Sequence, residues 1–137
     1  VRLVLLDTNV IVSAGIKPVC LPARIVQRVI QEGDIRIAVS PSVVAEYRRV
    51  SQYSKFARYD FPPLWLEFLI ERALRLPDGE PWPHPLPDPE DGCFLSLAKA
   101  TGAWLITGNL KHYPEASRGG LVVRTPAEYA AILDETL

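Results

Sequence analysis

A chain of 137 residues with 48% hydrophobic and 23% charged residues has the size and composition of one globular domain, which excludes disorder and any need for disulfide staples. A net charge of −1 excludes capture of nucleic acid by bulk positive charge, so a nucleic-acid partner would have to be met by a local basic patch or through metal ions. The two cysteines, Cys20 and Cys93, fit no metal-binding spacing and read as small apolar residues. Leu3–Leu6 is too short for a secretory signal and no apolar run reaches about 18 residues, so the expectation is a single cytoplasmic domain over residues 1–137 with no membrane span.

The run LVLL at Leu3–Leu6 stops at Asp-Thr-Asn and predicts a strand buried on both faces. Val10, Ile11 and Val12 follow, then a turn region at Gly15–Pro18. Leu21, Ile25, Val26, Val29 and Ile30 recur at helical spacing, with Pro22 in the first turn and Gly33 at the end. Ile35–Val39 predicts a second strand. Ser40-Pro41-Ser42 opens a helix with Val43, Val44, Tyr47 and Val50 as its apolar stripe. Pro62 and Pro63 start another, with Leu64, Trp65, Phe68, Leu69 and Ala73 on one side, before a brief strand at Leu74–Leu76.

Six prolines from Pro77 to Pro89 then make a long loop. Asp88-Pro89-Glu90-Asp91 begins a strong helix, with Phe94, Leu95, Leu97 and Ala98 inward and Gly102 closing it. Ala103–Ile106 and Leu121–Val123 predict further strands, and Pro126–Leu133 a last helix. Strands alternating with helices give an α/β domain with a mostly parallel sheet. Sites in such sheets lie beyond the carboxyl ends of the strands, where Asp7 and Asn109 both fall.

Asp7 follows four apolar residues, and a carboxylate there needs a metal ion, a hydroxyl or a helix N-terminus to satisfy it; an Asx turn is the alternative. Glu46 shares a helix with an apolar stripe and reads either as a solvated residue or as a second acid. Asp88 and Asp91 suit a helix N-terminus as cap and capping-box partner, and equally suit a cleft. Thr107-Gly108-Asn109 is a turn that would place a hydroxyl and an amide beside Asp7. His112 is a weaker candidate for a general base, and His84 weaker still. Clustered carboxylates are the hard oxygen ligands that Mg²⁺ and Mn²⁺ prefer, and they resist sharing a site without a cation. Nothing in the chain has the Cys/His set that zinc would want.

The order LLDTNVIVSA, VVAEYRRV, DPEDGCFLSLAKATGAWLITGN, LKHYP resembles the PIN-domain family, and within it the VapC-like toxin components of toxin–antitoxin systems. The resemblance runs from Leu3 to about Val123. It implies a three-layer α/β/α sandwich with about five strands and a Mg²⁺- or Mn²⁺-dependent endoribonuclease. By position, Asp7 matches the family's first acid, Glu46 its second and Asp91 the acid opening the helix after the long excursion; Asp88 is the neighbouring acid of this branch. Asn109 stands where many members carry a fourth aspartate, and an amide adds no charge.

On that resemblance Asp7, Asp91 and Asp88 are the expected metal ligands, and Thr8, Asn9 and Thr107 their hydrogen-bonding support. Arg48, Arg49, Lys55, Arg58, Lys99 and Lys111 are candidate RNA phosphate contacts. The implied partners are RNA, a small antitoxin protein and a second copy of the chain, with Tyr53, Phe56, Tyr59 and Trp65 available to an interface or to the core. Two alternatives stand beside this. One is a PIN-fold RNA- or protein-binding regulatory module without catalysis, favoured by Asn109 and the near-neutral charge. The other is a phosphotransfer or receiver-like domain with Asp7 as nucleophile, which would want a second aspartate where Asn9 stands.

Overall fold

The computed structural model describes residues 2–17, 19–53 and 63–135. Five parallel strands, β1 (Arg2–Leu6), β2 (Ile35–Val39), β3 (Leu74–Arg75), β4 (Trp104–Ile106) and β5 (Val123–Arg124), lie in the order β3-β2-β1-β4-β5. The predicted three-layer α/β/α architecture is what the chain adopts. β1 is central because LVLL tolerates burial from both faces: Leu5 and Leu6 are fully buried. The chain steps from β1 outward through β2 to β3, then returns past β1 to β4 and on to β5. Right-handed crossovers send the outward connections over one face and the return through the helix before β4 over the other. The order therefore reverses between β1 and β4, and a crevice opens there at the carboxyl ends of the strands.

Between β1 and β2 run α1 (Thr8–Ile16) and α2 (Leu21–Gln31). The sequence reading leaves Val10–Val12 unassigned, and β-branched residues are poor helix formers. Tertiary burial overrides that weak preference, because Val10, Ile11, Val12 and Ala14 all pack into the core. α3 (Pro41–Ser51) begins at the Ser40 cap and buries Val43 and Tyr47, with Val44 and Val50 packed at the margin. α4 (Pro63–Arg72) turns Leu66, Leu69 and Ile70 inward. Phe68, expected on the inner side, is instead 40% exposed, with the Arg72 guanidinium 4.4 Å from its ring centroid. Phe56 and Tyr59 lie outside the described residues.

The helix expected from Asp88 is divided: a 3₁₀ turn over Pro89–Asp91 leads into α5 (Gly92–Thr101), which Gly102 ends at φ +74°. α6 (Pro126–Glu135) closes the described chain. β5 begins two residues later than expected, because Leu121 is still held in a turn by its N–H to the Arg118 carbonyl. Among the described residues no single helix is long and apolar enough to cross a membrane.

The proline-rich segment after β3 is tied down at its start and in its middle. Asp78 accepts from the Ser42 N–H at 3.0 Å and from its hydroxyl at 2.7 Å, and Trp82 Nε1 donates to the Ser117 carbonyl at 2.8 Å. Gly79 rests so closely on α5 that a Cβ there would stand 2.6 Å from the Ser96 carbonyl oxygen. This segment delivers Asp91 to the crevice and leaves Asp88 and Glu90 exposed beside it.

Candidate active site

Asp7 occupies the reversal point. Its backbone N–H continues the β1–β4 ladder onto the Ile106 carbonyl at 2.9 Å, and its side chain caps α1 by accepting from the Thr8 N–H at 2.8 Å. The Asx turn and the acid of a site are thus one residue. The other carboxylate oxygen, Oδ2, accepts from Thr107 Oγ1 at 2.7 Å and Asn9 Nδ2 at 3.2 Å. Asn9 also receives the Gly108 N–H at 2.8 Å, so its side chain stitches the first turn of α1 to the end of β4. Asp7 is only 3% exposed, and burial pushes its carboxyl above the ordinary value despite the hydrogen bonds from Thr107 and Thr8 and the nearby Tyr113 hydroxyl, all of which favour its charge.

Asp91, at the end of the 3₁₀ turn, lies close enough to Asp7 to feel its charge and is 8% exposed. Burial, then the charges of Asp7 and Asp88, push its carboxyl up to about 7. The capping-box contact expected of Asp91 is not made. Its Oδ2 stands 3.2 Å from His112 Nδ1 but has no hydrogen bond of ordinary geometry among the described residues. Asp88 does cap the 3₁₀ turn, accepting from the Glu90 N–H at 3.0 Å, and stays on the exposed rim. Asn109 is half-buried beside this group, its N–H on Thr107 Oγ1 at 3.1 Å.

Glu46 reaches the same edge from α3. Its neighbour Tyr47 sets the position of that helix, because the buried Tyr47 hydroxyl donates to the Leu6 carbonyl, one residue before Asp7. The Glu46 carboxylate is gripped at both oxygens by Arg49, at 3.1 and 2.9 Å, and Arg49 reaches Glu90 at 3.2 Å as well. A hydrogen bond and repulsion from Glu46 hold the Glu90 carboxyl above its ordinary range. An adjoining cleft of about 600 Å³ is lined by Glu46 and Glu90 together with Ser42, Asp78, Trp82 and Cys93, but not by Asp7 or Asp91. Burial pushes the Cys93 thiol up to about 12, which leaves it an inert wall.

The basic candidates separate. Arg48 is held bidentately by Glu67 at 2.7 Å on each contact, and Arg49 is occupied as described and donates to Tyr53 at 2.6 Å. Lys111 is exposed on the turn after Asn109. Lys99 lies in the last turn of α5, at the far end of that helix from Asp91. Lys55 and Arg58 lie outside the described residues.

No set of three His, Cys, Asp or Glu side chains among the described residues is gathered tightly enough to hold a metal ion by itself. Asp7 and Asp91 are brought together; Asp88 is not drawn in as a third. Two carboxylates still fit a hydrated Mg²⁺ or Mn²⁺, since Mg²⁺ keeps several waters and is commonly held by one or two carboxylates. The fit is strengthened by buried oxygens that make no hydrogen bond of ordinary geometry, the Thr8 and Tyr113 hydroxyls and, beside its His112 contact, Asp91 Oδ2. Sequence reasoning singled out neither Glu90 nor Tyr113. Glu90 was visible as a third acid in DPED, whereas nothing in LKHYP marks the tyrosine as turned inward.

A doubly wound parallel sheet with a carboxylate pair at its reversal point defines the class of protein. Residues 3–111 match the PIN domain, and the chain belongs to the PIN-domain family. No curated protein sequence matches the chain. Among solved structures it is similar to VapBC2 from Rickettsia felis bound to a DNA fragment from their promoter, with 19% identity and a TM-score of 0.65 over 90% of this chain and 98% of the other. It is also similar to PAE2754 from Pyrobaculum aerophilum, with 14% identity and a TM-score of 0.60 over 98% of this chain and 90% of the other.

Proposed function

We propose that this chain is a metal-dependent endoribonuclease that hydrolyses RNA phosphodiester bonds, acting as the toxin of a toxin–antitoxin pair. The observation that carries the reading is the pairing of Asp7 and Asp91, two buried carboxylates close enough that the charge of Asp7 raises the cost of charging Asp91. Such a pair is stable as two anions only with a cation between their charges, and an anionic substrate approaching it needs the same cation. Membership in the PIN-domain family supports a nuclease, and the likeness to VapBC2 supports an antitoxin partner.

Asp7 and Asp91 would hold Mg²⁺ or Mn²⁺, with Asp88 at the rim and the Asn109 amide oxygen completing the polar wall. When bound, the cation supplies charge neutralisation at the phosphate and a more acidic water. Glu46 then serves as the base: it takes a proton as water attacks phosphorus, the P–O bond breaks, and the leaving oxygen is reprotonated from solvent. Thr8, Asn9 and Thr107 orient Asp7, and Lys111 contacts a flanking phosphate. The cytoplasm, a homodimer and a single domain over the whole chain belong to the same reading.

Cleavage of single-stranded RNA by wild type and Asp7→Asn, with Mn²⁺ or Mg²⁺, tests it; equal activity in the two ends it. A second reading, a PIN-fold binding module without catalysis, draws support from the Arg49 grip on Glu46 and from Asn109 in place of an acid. Titration with Mn²⁺ separates them, since a nuclease binds Mn²⁺ in competition with Mg²⁺ and an inert fold binds neither.

A further inference from the structure

Tyr113 follows the last turn of the acidic edge and is completely buried, yet its hydroxyl has no hydrogen-bond partner of ordinary geometry among the described residues. Burying a phenol without a partner costs stability that phenylalanine would not lose, so the hydroxyl calls for a physical reason. Placement of the ring is not that reason. The Tyr113 N–H bonds to the Leu110 carbonyl at 3.0 Å and its own carbonyl accepts from Arg118 Nε at 2.7 Å, so the backbone fixes the residue on its own.

The hydroxyl stands beside the Asp7 carboxylate, close enough to favour its charge, and within the influence of Asp91. A second buried hydroxyl without a hydrogen-bond partner, Thr8 Oγ1, belongs to the residue that follows Asp7, and Asp91 Oδ2 has no hydrogen bond of ordinary geometry beside its 3.2 Å contact with His112 Nδ1. The other orphan of this kind, Tyr129, lies on α6 among Arg2, Arg28 and Asp34 at the opposite end of the sheet. A buried phenol left without a bond beside a buried carboxylate describes a polar space with room for a group the protein itself does not supply.

We propose that Tyr113 is a positioning residue of the acidic site, its hydroxyl accepting a hydrogen bond from the hydration shell of the divalent cation held by Asp7 and Asp91 and donating to Asp7. The inference rests on the metal-dependent reading above. Outer-shell partners of this kind orient the ligand carboxylate, and their loss typically weakens metal affinity by about 10- to 100-fold.

Isothermal titration of the full chain with Mn²⁺, beside thermal unfolding in EDTA, tests it on wild type, Tyr113→Phe and Tyr129→Phe. Tyr113→Phe is expected to bind Mn²⁺ about 10-fold more weakly while its melting temperature in EDTA is equal to or above wild type; Tyr129→Phe keeps wild-type affinity. A merely structural hydroxyl would do the reverse, lowering the EDTA melting temperature and leaving affinity alone, and that result overturns the proposal. Equal Mn²⁺ affinity in wild type and Tyr113→Phe also overturns it, while leaving the nuclease reading intact if RNA is cut. Wild type that binds Mn²⁺ but cuts no RNA fails the nuclease reading alone; wild type that binds no Mn²⁺ fails both.

Discussion

Thr107 Oγ1 donates to Asp7 Oδ2 at 2.7 Å, joining residues 100 positions apart in the sequence across the reversal point of the sheet. The same oxygen accepts from the Asn109 N–H at 3.1 Å and from Asn9 Nδ2 at 3.4 Å, which uses its one donor and both acceptor sites. Thr107→Val keeps the shape and removes all three bonds. A hydrogen bond to a charged group contributes about 1.5–3 kcal/mol, so a loss on the order of 2 kcal/mol is expected in denaturant unfolding. RNA cleavage should fall by about 10-fold or more, as for loss of an outer-shell partner. Thr107→Ser should restore most of both.

The fold was legible wherever one period dominated. LVLL and IRIAV announced β1 and β2, and the Phe94–Ala98 pattern announced α5. It was not legible in α1, where burial on all sides removes the polar face that marks a surface helix and β-branched residues argue against one. The site was half legible. Asp7 and Asp91 stand out in sequence because acids beside apolar runs are costly there. The Arg49 grip on Glu46 is an i,i+3 pair on α3 that the spacing in EYRR allowed, whereas the Asp78 clamp and the inward Tyr113 depend on elements brought together from distant parts of the chain, and local spacing carries no trace of them.

Asp91 should make the metal-free protein less stable as pH rises. Burial, then repulsion from Asp7, raise its carboxyl from an unfolded value of 3.8 to about 7. The folded state therefore holds a proton that the unfolded state has released between those values. Stability is fullest below pH about 4, declines through the window up to about 7, and is flat above it. Asp91→Asn should flatten that slope and raise the melting temperature in EDTA at pH 8 by a few degrees, on the order of 2–4 °C per kcal/mol recovered. Melting curves at pH 5 and 8 check it; a wild-type slope of opposite sign would falsify the assignment to Asp91.

Asp78 should act in the opposite direction. Its hydrogen bonds, the Ser42 hydroxyl foremost, hold its carboxyl below the ordinary range. Its contribution is present above the unfolded pKa and is lost as pH falls through the lower folded value. Because Asp78 caps α3 from a distance and pins the proline-rich segment, Asp78→Ala should cost about 1 kcal/mol, the usual worth of a helix cap. Amide hydrogen exchange should quicken at Ser42 and Val43 and through residues 77–89, while amides of β1 and β4 keep their protection.

Lys111 and Arg48 should differ in their effect on RNA, although sequence alone ranks them equally. Both Arg48 contacts to Glu67 are 2.7 Å, so engaging a phosphate would first break a bidentate ion pair. Lys111 has no ion pair among the described residues and sits two positions after Asn109 on the exposed rim of the acidic edge. Phosphate contacts act through counterion release, so removing a true contact lowers affinity most at low salt and reduces the salt slope by roughly one unit. Lys111→Ala should therefore weaken binding of a catalytically silent Asp7→Asn background to single-stranded RNA several-fold at low salt and flatten its dependence on salt. Arg48→Ala in the same background should leave the slope unchanged. The opposite ranking would place the RNA track along the outer face of α3 instead of along the turn that follows β4.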